Sequence, residues 1–242
     1  MESLIHSFEI LFKTDLIIPS IFKDLPILGF FSKKLPYPFN SEFLNSFNSF
    51  NLFFPKQTHS TKIIEVNEKT MQRSFFEIEG DGTFTFNKKI FLGVRTADCV
   101  PILITNKDAD FVAALHGGWR GSVKRILSKF LQKIINLGIN PKEILIAIGP
   151  HIKVCCYEVG EEVLEKLKMN FENFKKFIIF RERKIFLDLE QLNIEQALEF
   201  SVPLINIWTS KDCTYCFKDS YWSHRFHKNN RGFQISLIGK LK

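Results

Sequence analysis

Residues 93–121 read GVRTADCVPILITNKDADFVAALHGGWRG and hold two apolar runs, each beside a group of polar residues. Apolar runs of this length, bounded by turn-forming residues, predict two buried β-strands, one at about 100–105 and one at about 111–116. Cys99 lies where the first strand begins, and His116 lies where the second strand ends. The stretch therefore predicts a thiol and an imidazole at neighbouring strand ends.

The segment that follows, residues 122–138 (SVKRILSKFLQKIINLG), is predicted to be an amphipathic helix. Its apolar residues recur at three- and four-residue steps and so form one face. These residues are Val123, Ile126, Leu127, Phe130, Leu131 and Ile134. Ser122 can cap the start of this helix, and Gly138 fits just past its end.

The rest of the chain mixes segments typical of strands with segments typical of helices. Further strands are predicted at 62–66 and 90–95, in ILIAIGP (144–150) and in FQISLIG (233–239), and further helices after Gly160 and over about 189–200. The strands between 90 and 116 follow one another without helices, which favours a mixed-sheet α/β or α+β fold.

A length of 242 residues suits one large domain or two small ones. No repeat, low-complexity tract or linker divides the sequence, so we predict a single domain over residues 1–242. Residues 1–54 give the fewest structural signals and are predicted to be irregular. They contain Pro26, Pro36, Pro38 and an Asn/Ser/Phe-rich run at 40–53.

The composition is that of a globular protein, with 45% hydrophobic residues. A net charge of +7 and a pI near 9.1 favour an anionic ligand. Clustered Lys and Arg with interleaved aromatics are missing, so no nucleic-acid partner is expected. Glu9, Lys13 and Asp15 interrupt the apolar N-terminal segment, which excludes a signal peptide or membrane span there. Five cysteines in a chain of this size indicate a reducing cytoplasm, and we expect a monomer or small homo-oligomer.

Three residues, His59 in PKQTHS, Cys99 and His116, form a nitrogen-rich, soft donor set of the kind that zinc accepts. Three protein ligands leave a fourth position open, which is typical of a catalytic zinc site. The spacings among them match no short metal motif. Taken alone, a cysteine in an apolar run is more often a small core residue.

The sequence HGGWRG offers a second feature beside His116. Gly117 and Gly118 allow the backbone to turn sharply and to approach a ligand closely. The N-terminus of the following helix attracts anions such as phosphate, and Arg120 adds a positive charge. The alternative is a plain strand-to-helix turn with a packed Trp119.

The four remaining cysteines lie in two groups, Cys155–Cys156 and CTYC at 213–216. A four-cysteine zinc site is conceivable, because CxxC is a common half-site. Adjacent residues, however, rarely share one tetrahedral metal ion. The sequence therefore predicts that replacing Cys155, Cys156 and Cys216 leaves the zinc content unchanged. The residues after CTYC also do not resemble the helix of a thioredoxin-like redox site.

Six motifs occur in an order that resembles that of a known family. They are QTHS (57–60), TADCVP (96–101), HGGWRG (116–121), GPHIKVCCYEVG (149–160), CT (213–214) and YWSHRF (221–226). Over roughly residues 55–240 the chain is similar to the YfiH/LACC-type laccase-domain family. That family is also known as the multicopper polyphenol oxidase family, as purine nucleoside phosphorylase and as peptidoglycan editing factor.

The resemblance implies an α+β fold, a single-domain αββα-like sandwich with mixed sheets. It implies that zinc, in preference to copper, is bound by His59, Cys99 and His116. It further implies a purine nucleoside phosphorylase that acts on adenosine, inosine and methylthioadenosine with phosphate and has adenosine deaminase activity. Zinc suits deamination, because it activates water for attack on C6 of the purine.

Further roles follow for residues near the implied metal. Asp98 is predicted to be an acid/base group, with an Asx turn as the alternative, and Arg120 a catalytic cation. Arg225 and the Gly117–Gly118 turn are predicted to bind phosphate. The family usually carries an S/T-x-R segment near the N-terminus, where this chain has Lys33 and Lys34 in GFFSKKLPYPFNS. Lys33 is predicted to bind phosphate in place of that arginine, with Lys34 as the alternative. Lysine keeps the charge of the arginine but loses its bidentate fork.

The YWSHRF motif also departs from the family pattern F-F-S-Y-R-R. His224 stands where the family has Tyr, and Phe226 stands where it has the second Arg.

Three other functions remain open. The first is a copper-dependent polyphenol oxidase, although one three-ligand site cannot form the multicopper cluster of true laccases. The second is a hydrolase that edits a peptidoglycan precursor, with Cys99 as nucleophile and His116 as base. The third is a non-enzymatic basic RNA-binding module. Bound metal separates them, since zinc favours the nucleoside enzyme and its absence favours the cysteine nucleophile.

Overall fold

The computed structural model describes residues 2–35, 51–73, 75–228 and 232–241. Its strands are β1 (Leu16–Ile17), β2 (Ile27–Ser32), β3 (Asn51–Phe53), β4 (Ile63–Glu65), β5 (Gly82–Thr85), β6 (Ile90–Thr96), β7 (Val100–Asn106), β8 (Val112–Gly117), β9 (Ile144–Ile148), β10 (Glu158–Val159), β11 (Ile178–Arg181), β12 (Lys184–Leu187), β13 (Ile207–Thr209) and β14 (Gln234–Lys240). Its α-helices are α1 (Glu2–Phe12), α2 (Glu68–Met71), α3 (Trp119–Val123), α4 (Ile126–Asn136), α5 (Glu161–Asn170), α6 (Leu189–Glu199) and α7 (His224–His227). Short 3₁₀ helices occur at Ser20–Phe22, Pro141–Glu143, Phe174–Phe177 and Leu204–Asn206.

Two large mixed sheets dominate the fold. One has the strand order β1-β2-β14-β6-β3, with β3 and β6 parallel. The other has the order β13-β9-β7-β8-β5-β4, with parallel pairs at both ends and antiparallel pairs between them. A small antiparallel sheet, β10-β12-β11, lies beside them. These sheets confirm the mixed-sheet prediction.

The two large sheets stack face to face, with helices on both outer sides. Leu103 and Ala114 of the β13–β4 sheet pack against Phe31 and Leu92 of the β1–β3 sheet. The far side of the β1–β3 sheet is covered by α1, and the far side of the β13–β4 sheet by α4, α5 and α6. Strands β7 and β8 are buried on both faces because they lie in the middle of these layers. The order helix, sheet, sheet, helix confirms the αββα-like sandwich.

The prediction that the N-terminal residues are irregular is wrong for most of the part described. Helix α1 packs Phe8 and Phe12, both fully buried, on the outer face of the β1–β3 sheet. Strand β2 is buried along its whole length and pairs with β14. Residues 36–50, which include Pro36, Pro38 and most of the Asn/Ser/Phe-rich run, lie outside the described residues.

The single helix predicted over 122–138 is two helices, α3 and α4, with a break at Arg125. Gly118, and not Ser122, is the N-cap of α3, and Arg125 adopts a left-handed conformation with φ 64°. Gln196 of α6 satisfies the groups that the break frees, since its Nε2 donates to Ser122 O (3.1 Å) and its Oε1 accepts from Ser128 N (3.2 Å). The predicted apolar face is nonetheless buried, and Gly138 follows α4 with φ 96°.

The other predicted elements are confirmed to within about two residues, namely β4, β6, β7, β8, β9, β14, α5 and α6. Along the described chain, none of the helices combines the length and the apolar character needed to cross a membrane.

Candidate metal centre and its cavity

The register of β7 on β8 explains why a cysteine and a histidine occur at neighbouring strand ends. The two strands are antiparallel, and Pro101 pairs with His116 while Val100 pairs with Gly117. Cys99, just before β7, therefore lies beside the end of β8. The Sγ of Cys99 and a ring nitrogen of His116 are within 4.8 Å of each other.

His59 reaches the same place from the loop between β3 and β4. Its backbone is left-handed, with φ 58°, and its Nε2 lies 4.0 Å from Cys99 Sγ. The His59 and His116 rings meet edge to face, with centroids 4.9 Å apart. The structure thus brings together all three residues predicted to bind zinc.

Asp81, which the sequence analysis missed, organises these residues from behind. It is fully buried, and its Oδ1 lies 2.8 Å from Nδ1 of His116. Its carboxylate also accepts hydrogen bonds from the backbone N–H groups of His59 (3.0 Å) and Ser60 (2.6 Å) and from the Ser60 hydroxyl (2.7 Å). The available signal was an acidic residue between two glycines in EGDGTF.

This arrangement fixes the tautomer of His116. With Nδ1 held by Asp81, Nε2 is the nitrogen left to face Cys99. A carboxylate behind a metal-binding histidine orients the ring and raises its basicity. Burial disfavours the charged carboxylate, but the hydrogen bonds from His116 and Ser60 outweigh it and hold the pKa of Asp81 far below its usual range.

Cys99 and His116 stabilise each other's charged forms. Burial raises the pKa of the Cys99 thiol, but His116 and His59 outweigh burial and bring that pKa down to about 6. Burial lowers the pKa of His116, but Cys99 and Asp81 outweigh it and raise that pKa to about 9. In the metal-free protein at neutral pH, the pair is therefore a thiolate beside an imidazolium.

We expect Cys99 in metal-free protein to react rapidly with iodoacetamide at pH 7. Because the thiolate is the nucleophile, the alkylation rate should rise as pH increases through about 6 and then level off. Cys155, whose pKa burial raises to about 11, should react far more slowly in the same sample. Peptide mass spectrometry over pH 5–9 measures both, and a Cys99 midpoint near 9 would contradict the thiolate–imidazolium pair.

The three side chains form a donor set that fits a metal ion. A tetrahedral zinc with bonds of about 2.3 Å to sulfur and about 2.05 Å to nitrogen separates those atoms by about 3.6 Å. The His59–Cys99 distance of 4.0 Å is a few tenths of an ångström longer, which a small rotation of the exposed His59 side chain can close. The donors suit zinc and also accept copper, and three protein ligands would leave a fourth coordination position open.

Replacing Asp81 with Asn should weaken metal binding by about ten- to a hundredfold, the usual cost of losing such an outer partner. The amide keeps the shape of the carboxylate but loses its charge and cannot accept from both His116 and the 58–60 loop in the same way. Competition with a chromogenic zinc chelator measures the affinity. Asp110→Asn, at an aspartate that contacts Asn106 in the turn between β7 and β8, is the matched control and should leave the affinity unchanged.

Gly118 must be glycine for the three ligands to converge. A Cβ at this position would lie 2.9 Å from His59 Cδ2 and 3.1 Å from Cys99 Sγ. Gly117 is less crowded, with its nearest neighbours at 3.2 Å. The predicted close approach is therefore toward the ligand side chains at Gly118, whereas Gly117 lies against Ser122 and Val100.

Gly118→Ala should lower zinc affinity by about tenfold or more, because it displaces two ligands of the set. Gly160→Ala is a matched control, since Gly160 is also a helix N-cap and its added Cβ meets no atom closer than 3.9 Å. The same chelator competition compares them. Equal affinities for the two variants would show that the ligands move aside without cost.

The three ligand candidates line a cavity of about 640 Å³. Three arginines, Arg95, Arg120 and Arg225, and three aromatic residues, Trp119, Tyr157 and Phe233, share its wall. Cavities of this size hold small-molecule ligands. The arginines give the cavity a positive lining that suits an anion.

Three of these wall residues, Arg95, Tyr157 and Phe233, were given no role from the sequence. The Arg95 guanidinium lies 4.0 Å from the ring centroid of Phe76 and 5.1 Å from that of Phe233. Burial lowers the pKa of Arg95. Burial raises the pKa of Tyr157, so its hydroxyl stays protonated.

Asp98 lies at the cavity, as predicted, but its carboxylate is engaged. It accepts from the Thr214 hydroxyl (2.6 Å), the Ser223 hydroxyl (3.0 Å) and the backbone N–H of Arg225 (2.7 Å). Its φ of 83° is left-handed, as expected where the chain turns sharply before a strand. Through these hydrogen bonds, Asp98 holds in place the part of the cavity wall that carries Arg225. The acid/base role of Asp98 stays a prediction.

The predicted phosphate-binding residues divide into two groups. Arg120 and Arg225 line the cavity, and Arg225 Nη2 also donates to Glu158 O at 2.9 Å. Lys33 is not among the lining residues, because its Nζ pairs with Asp15 at 2.9 Å. Lys34 lies elsewhere too, with Nζ 3.1 Å from Lys218 O.

The sequence disfavoured a four-cysteine metal site because two of the cysteines, Cys155 and Cys156, are adjacent. The structure contradicts that reason. The Sγ atoms of Cys155, Cys156, Cys213 and Cys216 all lie within 4.8 Å of one another. Cys155 and Cys156 occupy a turn, where adjacent side chains can point the same way, and not a strand, where they alternate.

Comparison with known proteins finds one family and several curated relatives. The model of the family described as "Multi-copper polyphenol oxidoreductase laccase" matches residues 40–240. The chain is 34% identical over 182 residues to "Adenosine deaminase RL5" from an unknown prokaryotic organism, covering 72% of this chain and 70% of that protein. It is 35% identical over 165 residues to "Purine nucleoside phosphorylase" of Aquifex aeolicus, covering 68% and 72%.

The fold is also similar to that of solved structures. The hypothetical protein YfiH of Bacillus licheniformis superposes with a TM-score of 0.82 at 22% identity, over 93% of this chain and 96% of that one. At 22% identity, this similarity supports the fold of the chain and says nothing about its function.

Proposed function

This chain belongs to the multi-copper polyphenol oxidoreductase laccase family, and from that premise we propose that it is a zinc-dependent purine nucleoside phosphorylase with adenosine deaminase activity. Its substrates are adenosine, inosine and methylthioadenosine, with phosphate as co-substrate. Relatives bearing the names purine nucleoside phosphorylase and adenosine deaminase support both activities.

One observation carries this proposal. His59, Cys99 and His116 converge at the wall of a cavity that three arginines also line. Deamination needs an activated water molecule, which a metal bound by the three ligands would supply. Phosphorolysis needs bound phosphate, which the arginines of the same cavity can hold.

The side chains of the chain divide the work of phosphorolysis. Arg120 and Arg225 hold phosphate, so that one of its oxygens can attack C1′ of the ribose while the bond from C1′ to the purine nitrogen breaks. Trp119 and Tyr157 offer flat faces for the purine and ribose. Asp98 positions Arg225 by accepting a hydrogen bond from the backbone N–H of that residue. The products are the free purine base and ribose 1-phosphate.

Deamination uses the same cavity without phosphate. Zinc held by His59, Cys99 and His116 supplies Lewis acidity, which activates water near neutral pH. Water replaces the amino group on C6 of adenosine, and ammonia leaves. Asp81 holds Nδ1 of His116, which would leave Nε2 free to bind the ion.

A product assay tests the proposal. Purified protein is incubated with inosine, with and without phosphate, and separately with adenosine without phosphate. We expect hypoxanthine and ribose 1-phosphate from inosine only when phosphate is present, and inosine and ammonia from adenosine without phosphate. Intact nucleosides in every reaction of zinc-loaded protein would overturn the proposal.

A second candidate function rests on the Cys99–His116 pair. With a thiol pKa of about 6 and an imidazole pKa of about 9, Cys99 is also suited to be a nucleophile with His116 as proton carrier. That candidate is a metal-independent hydrolase of a peptidoglycan precursor. It predicts that the hydrolase keeps its activity after chelation, whereas the nucleoside enzyme loses activity on chelation.

The copper-dependent polyphenol oxidase reading is tested in the same set of assays. Copper-loaded protein should then consume oxygen in the presence of a phenol, whereas the proposed enzyme should not.

A further inference from the structure

The second cysteine group has the geometry of a metal site. Cys216 Sγ lies 3.7 Å from Cys155 Sγ and 3.4 Å from Cys156 Sγ, and all four sulfurs lie within 4.8 Å of one another. Four thiolates at about 2.3 Å around a tetrahedral zinc are separated by about 3.8 Å. Both measured separations lie within about 0.4 Å of that value, and they are far longer than the roughly 2.05 Å of a disulfide.

The backbone around these cysteines explains how two adjacent residues can share one centre. Cys156 N and Tyr157 N both donate to Lys153 O, at 2.9 and 3.0 Å, which closes a tight turn over 153–157. The second segment is fixed against the first, since His151 and Cys213 form an isolated bridge and Thr214 N donates to His151 O at 3.1 Å. These backbone contacts bring together two half-sites that are distant in sequence.

Burial raises the pKa of the Cys155 and Cys156 thiols, but hydrogen-bond donors and a cation near the cluster stabilise the thiolates that a zinc ion would bind. The backbone N–H of Lys153 donates to Cys213 Sγ at 3.4 Å, a contact that stabilises negative charge on sulfur. Arg181 Nη2 donates to the carbonyl oxygens of Val154 (2.6 Å) and Cys155 (3.2 Å), which places a guanidinium beside the cluster. A zinc ion with four thiolates carries a net charge of −2, so these donors offset it.

We propose that Cys155, Cys156, Cys213 and Cys216 bind a second, structural zinc ion. Four protein ligands leave no open position, so this site stabilises the fold and does not take part in the reaction. Binding converts the thiols to thiolates and releases their protons to solvent.

The site fastens two segments that shape the cavity wall. Thr214, within the CTYC segment, donates to Asp98, and Tyr157 lines the cavity directly after Cys156. Glu158 O, one residue further, accepts from Arg225. The zinc thus ties together the residues that hold Asp98 and Arg225 in place.

Zinc counting in variants separates the two sites. Zinc per chain is measured by elemental analysis in the unmutated protein, in Cys99→Ser, in Cys213→Ser/Cys216→Ser and in the triple variant. We expect about two, one, one and no zinc ions respectively, with each cysteine variant serving as the control for the other. One zinc in the unmutated protein that is lost in Cys99→Ser and kept in Cys213→Ser/Cys216→Ser would overturn the proposal.

A measurement on the unmutated chain covers the case in which Cys213→Ser/Cys216→Ser fails to fold. X-ray absorption at the zinc edge reports the average ligand set. Two occupied sites give five sulfur and two imidazole ligands across two ions, whereas the first site alone gives one sulfur and two imidazoles. A sulfur-poor spectrum, or a disulfide between these cysteines in protein purified under reducing conditions, would overturn the proposal, whether or not the nucleoside activities are found.

Discussion

Cys99→Ser is expected to lose one zinc ion per chain and to reduce both phosphorolysis and deamination by roughly a thousandfold. A hydroxyl at this position cannot replace a thiolate as a soft, charged ligand, and only His59 and His116 remain. A catalytic metal contributes several kcal/mol of transition-state stabilisation, and about 4 kcal/mol corresponds to a thousandfold in rate. Elemental analysis and steady-state assays on one preparation measure both losses.

The fold should survive this substitution, because serine is close to cysteine in size and Cys99 is only half-buried. A thermal unfolding midpoint within a few degrees of that of the unmutated protein is the control. Unchanged zinc content in Cys99→Ser would show that the set of His59, Cys99 and His116 is not a zinc site. Zinc loss with full activity would show that the metal is not used in the reaction.

Arg225→Ala is expected to lower phosphorolysis by about ten- to more than a hundredfold while changing deamination much less. A charge-assisted hydrogen bond is worth roughly 1.5 to 3 kcal/mol. Loss of such a bond between Arg225 and phosphate lowers the rate by about ten- to more than a hundredfold. Deamination needs water and metal but no phosphate. The backbone N–H that Asp98 accepts is kept in the variant, so the cavity wall should stay in place.

The comparison uses inosine with phosphate and adenosine without it, assayed on the same preparation. Arg183→Ala is the matched control, since Arg183 is exposed in the turn between β11 and β12 and does not line the cavity. Equal losses of both activities in Arg225→Ala would assign Arg225 to the nucleoside or to the fold and not to phosphate.

Local periodicity predicted the middle of the fold and missed its N-terminal end for a physical reason. Strands β7 and β8 are apolar throughout because both of their faces are buried, so their sequences are unmistakable. Helix α1 has no comparable signal, since its burial depends on Phe8 and Phe12 meeting Leu237 of β14, at the opposite end of the chain. Contacts of that kind cannot be read from neighbouring residues.

The break between α3 and α4 was hidden for a similar reason. The apolar stripe runs without interruption across it, and the compensating hydrogen bonds come from Gln196 on α6. Periodicity alone therefore predicts one helix.

The residues of the candidate site that lie in sequence motifs could be predicted. Those whose role depends on contacts between distant parts of the chain could not. The motif order pointed to His59, Cys99 and His116, and the structure brings these residues together. Asp81 acts by holding His116 and the loop that carries His59, a role visible only in three dimensions. The pairing of Cys155 and Cys156 with CTYC depends in the same way on a turn geometry that the sequence does not reveal.

Anomalous diffraction from crystals of active protein, recorded above and below the zinc absorption edge, tests the central claim most directly. We expect a zinc peak within bonding distance of His59 Nε2, Cys99 Sγ and His116 Nε2, at the wall of the cavity lined by Arg120 and Arg225. Crystals of protein that cleaves inosine with phosphate, but that show no metal peak among these three side chains, would contradict it.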